Sequence, residues 1–174
     1  ITLYVPFVPG PTETAARKAA EVASRYLGQP IVIETKPGAG GTLGPVLMAR
    51  TAKTDGYLLS VVPSSLFRYH YMQKVEWDPV RDFTYISGLT LDDMAVQVSV
   101  DSEFKSWEDV VRWAKANPGK LTYGTPGVGT SMHLLTETAA GLLGLQVVHV
   151  PYKGASRSEE HTSELQSRAT ISYA

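Results

Sequence analysis

Three times along this chain a short segment rich in β-branched and aromatic residues runs into a loop of small residues, and each loop opens a helix. ITLYVPF (1–7) leads into PGPT (9–12), YLLSVVP (57–63) into Ser64-Ser65, and KLTYGTP (120–126) into GVGTS (127–131). A strand that feeds directly into a helix can bury both only if the helix lies on a sheet. Repetition of the unit therefore selects an α/β fold with largely parallel strands. In such sheets ligands bind outside the carboxyl ends of the strands, which is where these loops fall.

The remaining segments fit the same scheme. Thr12 is placed as an N-cap for a helix over 13–27, with Ala16, Ala19, Ala20, Ala23 and Leu27 on one face and Gly28 as its stop. IVIETK (31–36) is a strand, PGAGGTLG (37–44) a glycine-rich loop, and a helix follows to about Lys53. Asp55-Gly56 is a turn, and WDPVRDF (77–83) is an irregular connector interrupted by Pro79. TYISGLT (84–90) and MAVQVSV (94–100) are expected as strands, and Ser106 caps a helix through Gly119 with Trp107, Val110, Val111 and Ala114 inward. A helix over 132–144 and a strand over 145–152 complete the pattern. A division near Met94 separates a first α/β lobe, 1–95, from the start of a second, 96–156.

Residues 157–174, RSEEHTSELQSRATISYA, break from this pattern: apolar residues almost vanish and no period carries over. The segment resembles the translation of a sequencing adapter, and it is expected to be non-native and to pack against nothing. Without it the body is neutral, with 14 basic and 14 acidic residues. The body is then expected to be a fragment that stops at Ser156 partway through its second lobe and binds ligand poorly. Ile1 already lies in an apolar strand-like segment, so a leader was removed or the start is missing.

Composition excludes several functions. Hydrophobic residues make up 43% and charged residues 19%, a globular balance, and the net charge of −1 gives no basic footprint for nucleic acid. No apolar run is long enough to span a membrane. Cysteine is absent, which rules out disulfides, thiolate metal sites and a cysteine nucleophile.

The helix-start loops are the candidate binding elements. A helix N-terminus offers backbone N–H groups and a partial positive charge to a carboxylate or phosphate. Thr12, Ser64, Ser65, Thr130 and Ser131 add hydroxyls there, or they serve as ordinary caps. The glycine-rich loop does not meet the dinucleotide fingerprint, because the third glycine position from Gly38 is Leu43. His133 and Glu137, one helical turn apart, could hold a metal but read more simply as a surface or cap interaction. His70, His133 and His149 show no ligand spacing, and no G-x-S-x-G elbow occurs. Lys153 could attract an anion or be a solvated loop residue.

VPFVPGPTETAAR (5–17), LGQPIVIETKPGAGGTLG (27–44), DGYLL (55–59), WDPVRDF (77–83), AKANPGKLTYGTPGVGTSMHL (114–134) and HVPYKGAS (149–156) together resemble, in order, the Bug-type receptors of tripartite tricarboxylate transporters. The resemblance implies a type II periplasmic-binding-protein-like fold with two lobes, the second truncated here. It implies capture of a small carboxylate in the periplasm for the membrane subunits of a transporter. It implies no catalysis, cofactor, metal or nucleic-acid partner. A carboxylate sensor feeding a signalling system is the alternative, and an α/β enzyme on an anionic substrate a further one. Carried over by motif, the ligand contacts are Phe7, Val8, Gly10, Pro11 and Thr12, with Ser64 and Ser65 beside them. In the second lobe they are Gly129, Thr130 and Ser131, supported by His133, with Tyr152, Lys153 and Gly154 at the closing edge. The chain departs from the family pattern where Pro11 follows a single Gly10, where Glu13 stands near a customary aspartate, and where Val128 replaces a polar residue.

Overall fold

The computed structural model describes residues 1–90, 94–154 and, for the backbone alone, 170–173. The chain divides into two compact units, Ile1–Asp92 and Asp93–Ala174.

Unit one is built on a three-stranded parallel sheet of β1 (Thr2–Val5), β2 (Val32–Thr35) and β3 (Leu58–Ser60), in the order β2-β1-β3. Thr2 is in register with Val32 on one side and Leu58 on the other. The chain leaves β1 for one neighbour through α1 (Pro11–Leu27) and reaches the other through α2 (Leu43–Thr51). Strand order therefore reverses beside β1, and the carboxyl ends of β1 and β3 flank the switch point that α/β sheets use for ligands. Only Ala16 and Ala20 of the expected α1 face are buried, while Leu27 is exposed, so this helix lies on the sheet along a narrow alanine stripe. Gly28 ends it in the left-handed conformation, at φ 62°. After β3 comes α3 (Ser65–Met72), whose Leu66 and Tyr69 join Val5 and Phe83 in the interior.

Residues 84–90 form no strand, contrary to expectation, and all are exposed. β-Branched and aromatic residues favour a strand only where neighbours pair with and cover it. Of MAVQVSV, only Val96–Gln97 becomes a strand, β4.

Unit two holds β4, β5 (Leu121–Thr125), β6 (Val147–Pro151) and β7 (Thr170–Tyr173) in the order β4-β7-β5-β6. β5 is parallel to both β6 and β7, and β4 is antiparallel to β7. The expectation that residues 157–174 pack against nothing fails for 170–173, whose backbone is hydrogen-bonded between β4 and β5; the rest of that segment lies outside the described residues. Helix α4 (Trp107–Ala116) starts at a capping box. Ser106 Oγ accepts from Asp109 N at 3.2 Å, and the Asp109 carboxylate accepts from Ser106 N at 3.1 Å. Val110 and Ala114 of α4 pack with Phe104, Leu121 and Tyr123 to make the core. Trp107, expected inward, is 40% exposed. Helix α5 (Ser131–Leu143) connects β5 to β6.

Candidate functional site

Helix α1 starts two residues earlier than its apolar spacing indicates. Gly10, not Thr12, is the N-cap, and its carbonyl accepts the first helical bond from Thr14 N at 2.9 Å. Pro11 takes the first helical position, where its fixed φ suits the helix. Thr12 therefore lies inside the first turn. Because proline lacks an N–H, the donors that this helix start directs outward are those of Thr12 and Glu13. Glu13 also brings a carboxylate to the positive end of the helix, and Arg17 one turn on pairs with it and balances its charge.

Phe7 and Val8 are half-buried in the bend between β1 and Gly10. The Phe7 ring lies over Gly41 of the glycine-rich loop, beside Pro63 from the end of β3. A Cβ added at Gly41 would meet Phe7 Cζ at 2.8 Å and Pro63 Cγ at 2.9 Å. The loop thus serves close packing between β1 and β3. Most of it is a turn of 3-10 helix, Ala39–Gly41.

Ser64 caps α3 with its backbone and is exposed. Ser65 differs from the expectation of a cleft-lining hydroxyl. It is fully buried, and its Oγ donates to the Gly40 carbonyl at 2.6 Å, fastening α3 to the glycine-rich loop.

In unit two the GVGTS loop is closed on itself. Thr130 is the N-cap of α5: its Oγ1 accepts from His133 N at 3.4 Å and donates to the Gly127 carbonyl at 2.8 Å. His133 reaches back, and its Nδ1 accepts the Gly129 N–H at 3.2 Å. Gly129 has φ 74°, a left-handed conformation that a side chain would oppose. Between the buried Gly127 and Gly129, Val128 stands outward at 39% exposure, and Ser131 begins the helix half-buried. Past β6, Tyr152 N donates to the Thr125 carbonyl at 2.8 Å, which extends the β5–β6 ladder, and Gly154 is buried at φ 147°. Lys153 is exposed.

Beneath that loop lies a cluster that spacing alone does not reveal. The His133 and His149 rings stack with centroids 4.1 Å apart, and the Tyr123 ring stacks on the other imidazole, His149, at 4.9 Å. The Tyr123 hydroxyl donates to Glu137 Oε1. A 2.7 Å hydrogen bond joins Thr125 Oγ1 to His149 Nε2. Burial, and next to it the neighbouring His133 ring, push the His149 pKa down to about 4 against the pull of Glu137. Burial also lowers the His133 pKa, again opposed by Glu137. Two histidines with displaced pKa values and a nearby hydroxyl invite comparison with a catalytic site. Thr125, however, has 0% exposure, and its oxygen is also bonded to Gly127, so no substrate reaches it. His133 bonds to the loop that precedes its own helix, and His149 to β5, the strand beside its own. His133, expected in a surface or cap interaction with Glu137 one turn on, accepts a bond from the loop at its helix start and also feels the Glu137 charge, and no group of three or more metal-binding side chains occurs among the described residues.

Parallel sheets whose strands end in helix-start loops, with polar groups turned to holding those loops, are the equipment of an α/β binding protein. Residues 15–169 match the tripartite tricarboxylate transporter family receptor, and the chain belongs to that family, one of receptors rather than enzymes. A protein from the gbd 5′ region of Cupriavidus necator is 45% identical over 149 residues, covering 86% of this chain and 45% of its own length. BugT of Bordetella pertussis is 30% identical over 159 residues, covering 89% and 48%. Among solved structures, a periplasmic transporter superposes with TM-score 0.88 at 32% identity, covering 99% of this chain and 58% of its own. MatC of Rhodopseudomonas palustris, with bound malate, superposes with TM-score 0.85 at 28% identity, covering 95% and 57%. A second R. palustris protein, with adipate, gives TM-score 0.82 at 26% identity, covering 97% and 57%. The likeness supports the periplasmic-binding-protein-like architecture expected for the chain, which spans about half the length of its curated relatives. No helix among the described residues is long and apolar enough to cross a membrane.

Proposed function

We propose that this chain belongs to the solute-capturing receptor of a tripartite transporter, working outside the cytoplasm, and that its ligand is a small dicarboxylate. The observation that carries the reading is that each unit ends a parallel strand at a helix start suited to an anion. In unit one it is Gly10-Pro11-Thr12, and in unit two Gly129-Thr130-Ser131. Malate and adipate, bound by two structural neighbours, are both diacids.

The chemistry is recognition without bond breaking. Fixed N–H groups meet a carboxylate in charge-assisted hydrogen bonds, each worth ~1.5–3 kcal/mol net. Phe7 and Val8 beside the first loop, and Val128 within the second, each offer apolar surface next to a bound carboxylate. Tyr152, Lys153 and Gly154 form the edge beside β6, where the lysine adds a positive charge. Membrane subunits of the transporter are the partner that would read the loaded receptor.

The test is calorimetric titration of the chain, extended to the full length of its relatives, with malate, adipate, their diamides and a monoacid. Micromolar binding of at least one diacid and none of its diamide is expected. Equal binding of acid and amide, or no heat from any diacid, would overturn the reading.

A further inference from the structure

We propose that His149 is a positioning residue for the GVGTS loop, acting through His133, and that a proton taken up by this stacked pair unlocks the loop. The carboxylate-receiving role of the loop rests on the function proposed above; the linkage itself concerns only the loop and the two rings.

The argument begins from one donor. A backbone N–H can only donate, so the 3.2 Å bond from Gly129 N requires a bare lone pair on His133 Nδ1. The neutral His133 must then carry its proton on Nε2. Adding a second proton places an N–H on Nδ1, facing the Gly129 N–H, and the bond is lost. Beside that bond, Gly129 is spanned by the long 3.4 Å bond from Thr130 N to the Gly127 carbonyl and by the Thr130 cap, whose oxygen is shared between Gly127 and His133 N.

His149 matters because its ring covers one face of His133 at 4.1 Å and keeps water from it. Tyr123 backs His149 in turn, and the Thr125 hydroxyl fixes the edge of that ring. The groups facing the pair come from three elements. Glu137 and His133 lie on α5, Tyr123 and Thr125 on β5, and His149 on β6. Glu137 is the charged group among them and favours the proton, but the Tyr123 hydroxyl holds its carboxylate. Burial wins over that attraction at both rings, so the loop is held at neutral pH and loosened in acid.

Nitrogen-15 NMR of this chain across pH 4–8 tests the linkage without any ligand. His133 is expected as the Nε2–H tautomer at pH 7.5, and the Gly129 amide shift is expected to titrate in step with its ring, with a midpoint below the ordinary histidine value. His149→Ala uncovers the ring and should raise that midpoint towards the ordinary value. His149→Phe keeps a stacked ring and should restore the low midpoint, which a merely structural role would not require. If His149→Ala does not fold, the wild-type titration and His149→Phe still decide. A Gly129 amide that ignores His133 protonation, an Nδ1–H tautomer, or a midpoint unchanged in His149→Ala overturns the proposal. Failure of every diacid to bind while the amide still titrates would strike the functional reading and leave the linkage standing.

Discussion

Gly41→Ala is the sharpest probe of how unit one holds its loops. The new Cβ would lie 2.8 Å from Phe7 Cζ, 3.0 Å from Phe7 Cε1 and 2.9 Å from Pro63 Cγ. Carbon atoms rest about 3.5–4.0 Å apart, so these neighbours must give way by roughly 0.5–1 Å. The Phe7 ring is half-buried and can swing. Pro63 cannot, because its ring fixes φ and its carbonyl accepts Leu66 N at 3.0 Å. Overpacking of this kind costs ~1–3 kcal/mol. A left-handed conformation for alanine, required by φ 89° at residue 41, adds ~1–2 kcal/mol. Gly28→Ala supplies the control within the same unit. Its φ is 62°, and nothing lies within 4 Å of the added Cβ, so only the backbone strain remains. Urea unfolding of the two variants, followed by circular dichroism, should place Gly41→Ala lower by roughly 1 M, from ~1–3 kcal/mol of extra loss and a slope of ~1–3 kcal/mol per M. Adding Phe7→Leu should recover part of that difference. Equal midpoints for Gly41→Ala and Gly28→Ala, or no recovery with Phe7→Leu, would refute the packing argument.

Acid should weaken unit two. His149 titrates near 6.5 in the unfolded chain and about 4 in the fold, so between those values the unfolded state holds more protons and stability declines as pH falls, levelling below about 4. The shift corresponds to ~3 kcal/mol at most, and to about half that once solvent reaching the half-buried ring is allowed for. Urea midpoints at pH 7.5 and 4.5 measure it, and His149→Phe should flatten the profile. Ser65→Ala leaves the Gly40 carbonyl without its buried donor and should cost ~1–3 kcal/mol in the same unfolding assay; an unchanged midpoint would show that the bond contributes nothing. Ser106→Ala breaks the capping box of α4 and should cost ~1 kcal/mol; an unchanged transition would show that the cap contributes nothing.

Much of the scaffold is readable from residue order. The strand-to-helix junctions after β1, β3 and β5 announce themselves because each changes from β-branched residues to glycine, proline or hydroxyl residues within a few positions. Gly28 and Gly144 end their helices as glycines do, both left-handed. What misleads is whatever depends on distant partners. TYISGLT has the composition of a strand but pairs with no neighbour among the described residues. Thr12 is a good cap by type, yet the proline before it starts the helix sooner. The histidine stack had two local signals, Tyr123 and Thr125 alternating on β5 and His133 and Glu137 one turn apart on α5. The missing term was the register of β5 on β6, which sets His149 opposite Tyr123. The candidate residues of the loops stand out by type, but not the use made of their hydroxyls: Ser65 and Thr130 hold backbone.

The clasp of Phe7, Gly41, Pro63 and Ser65 bears on how such a receptor could be diversified. Surface loops are ordinarily where a scaffold accepts insertions and random substitution. The 37–44 loop is closer to a keystone: a residue gained or lost there would disturb the ends of two strands and the start of a third helix together. A library that varies unit one should therefore leave the glycines of the 37–44 loop untouched and place its changes elsewhere in that unit.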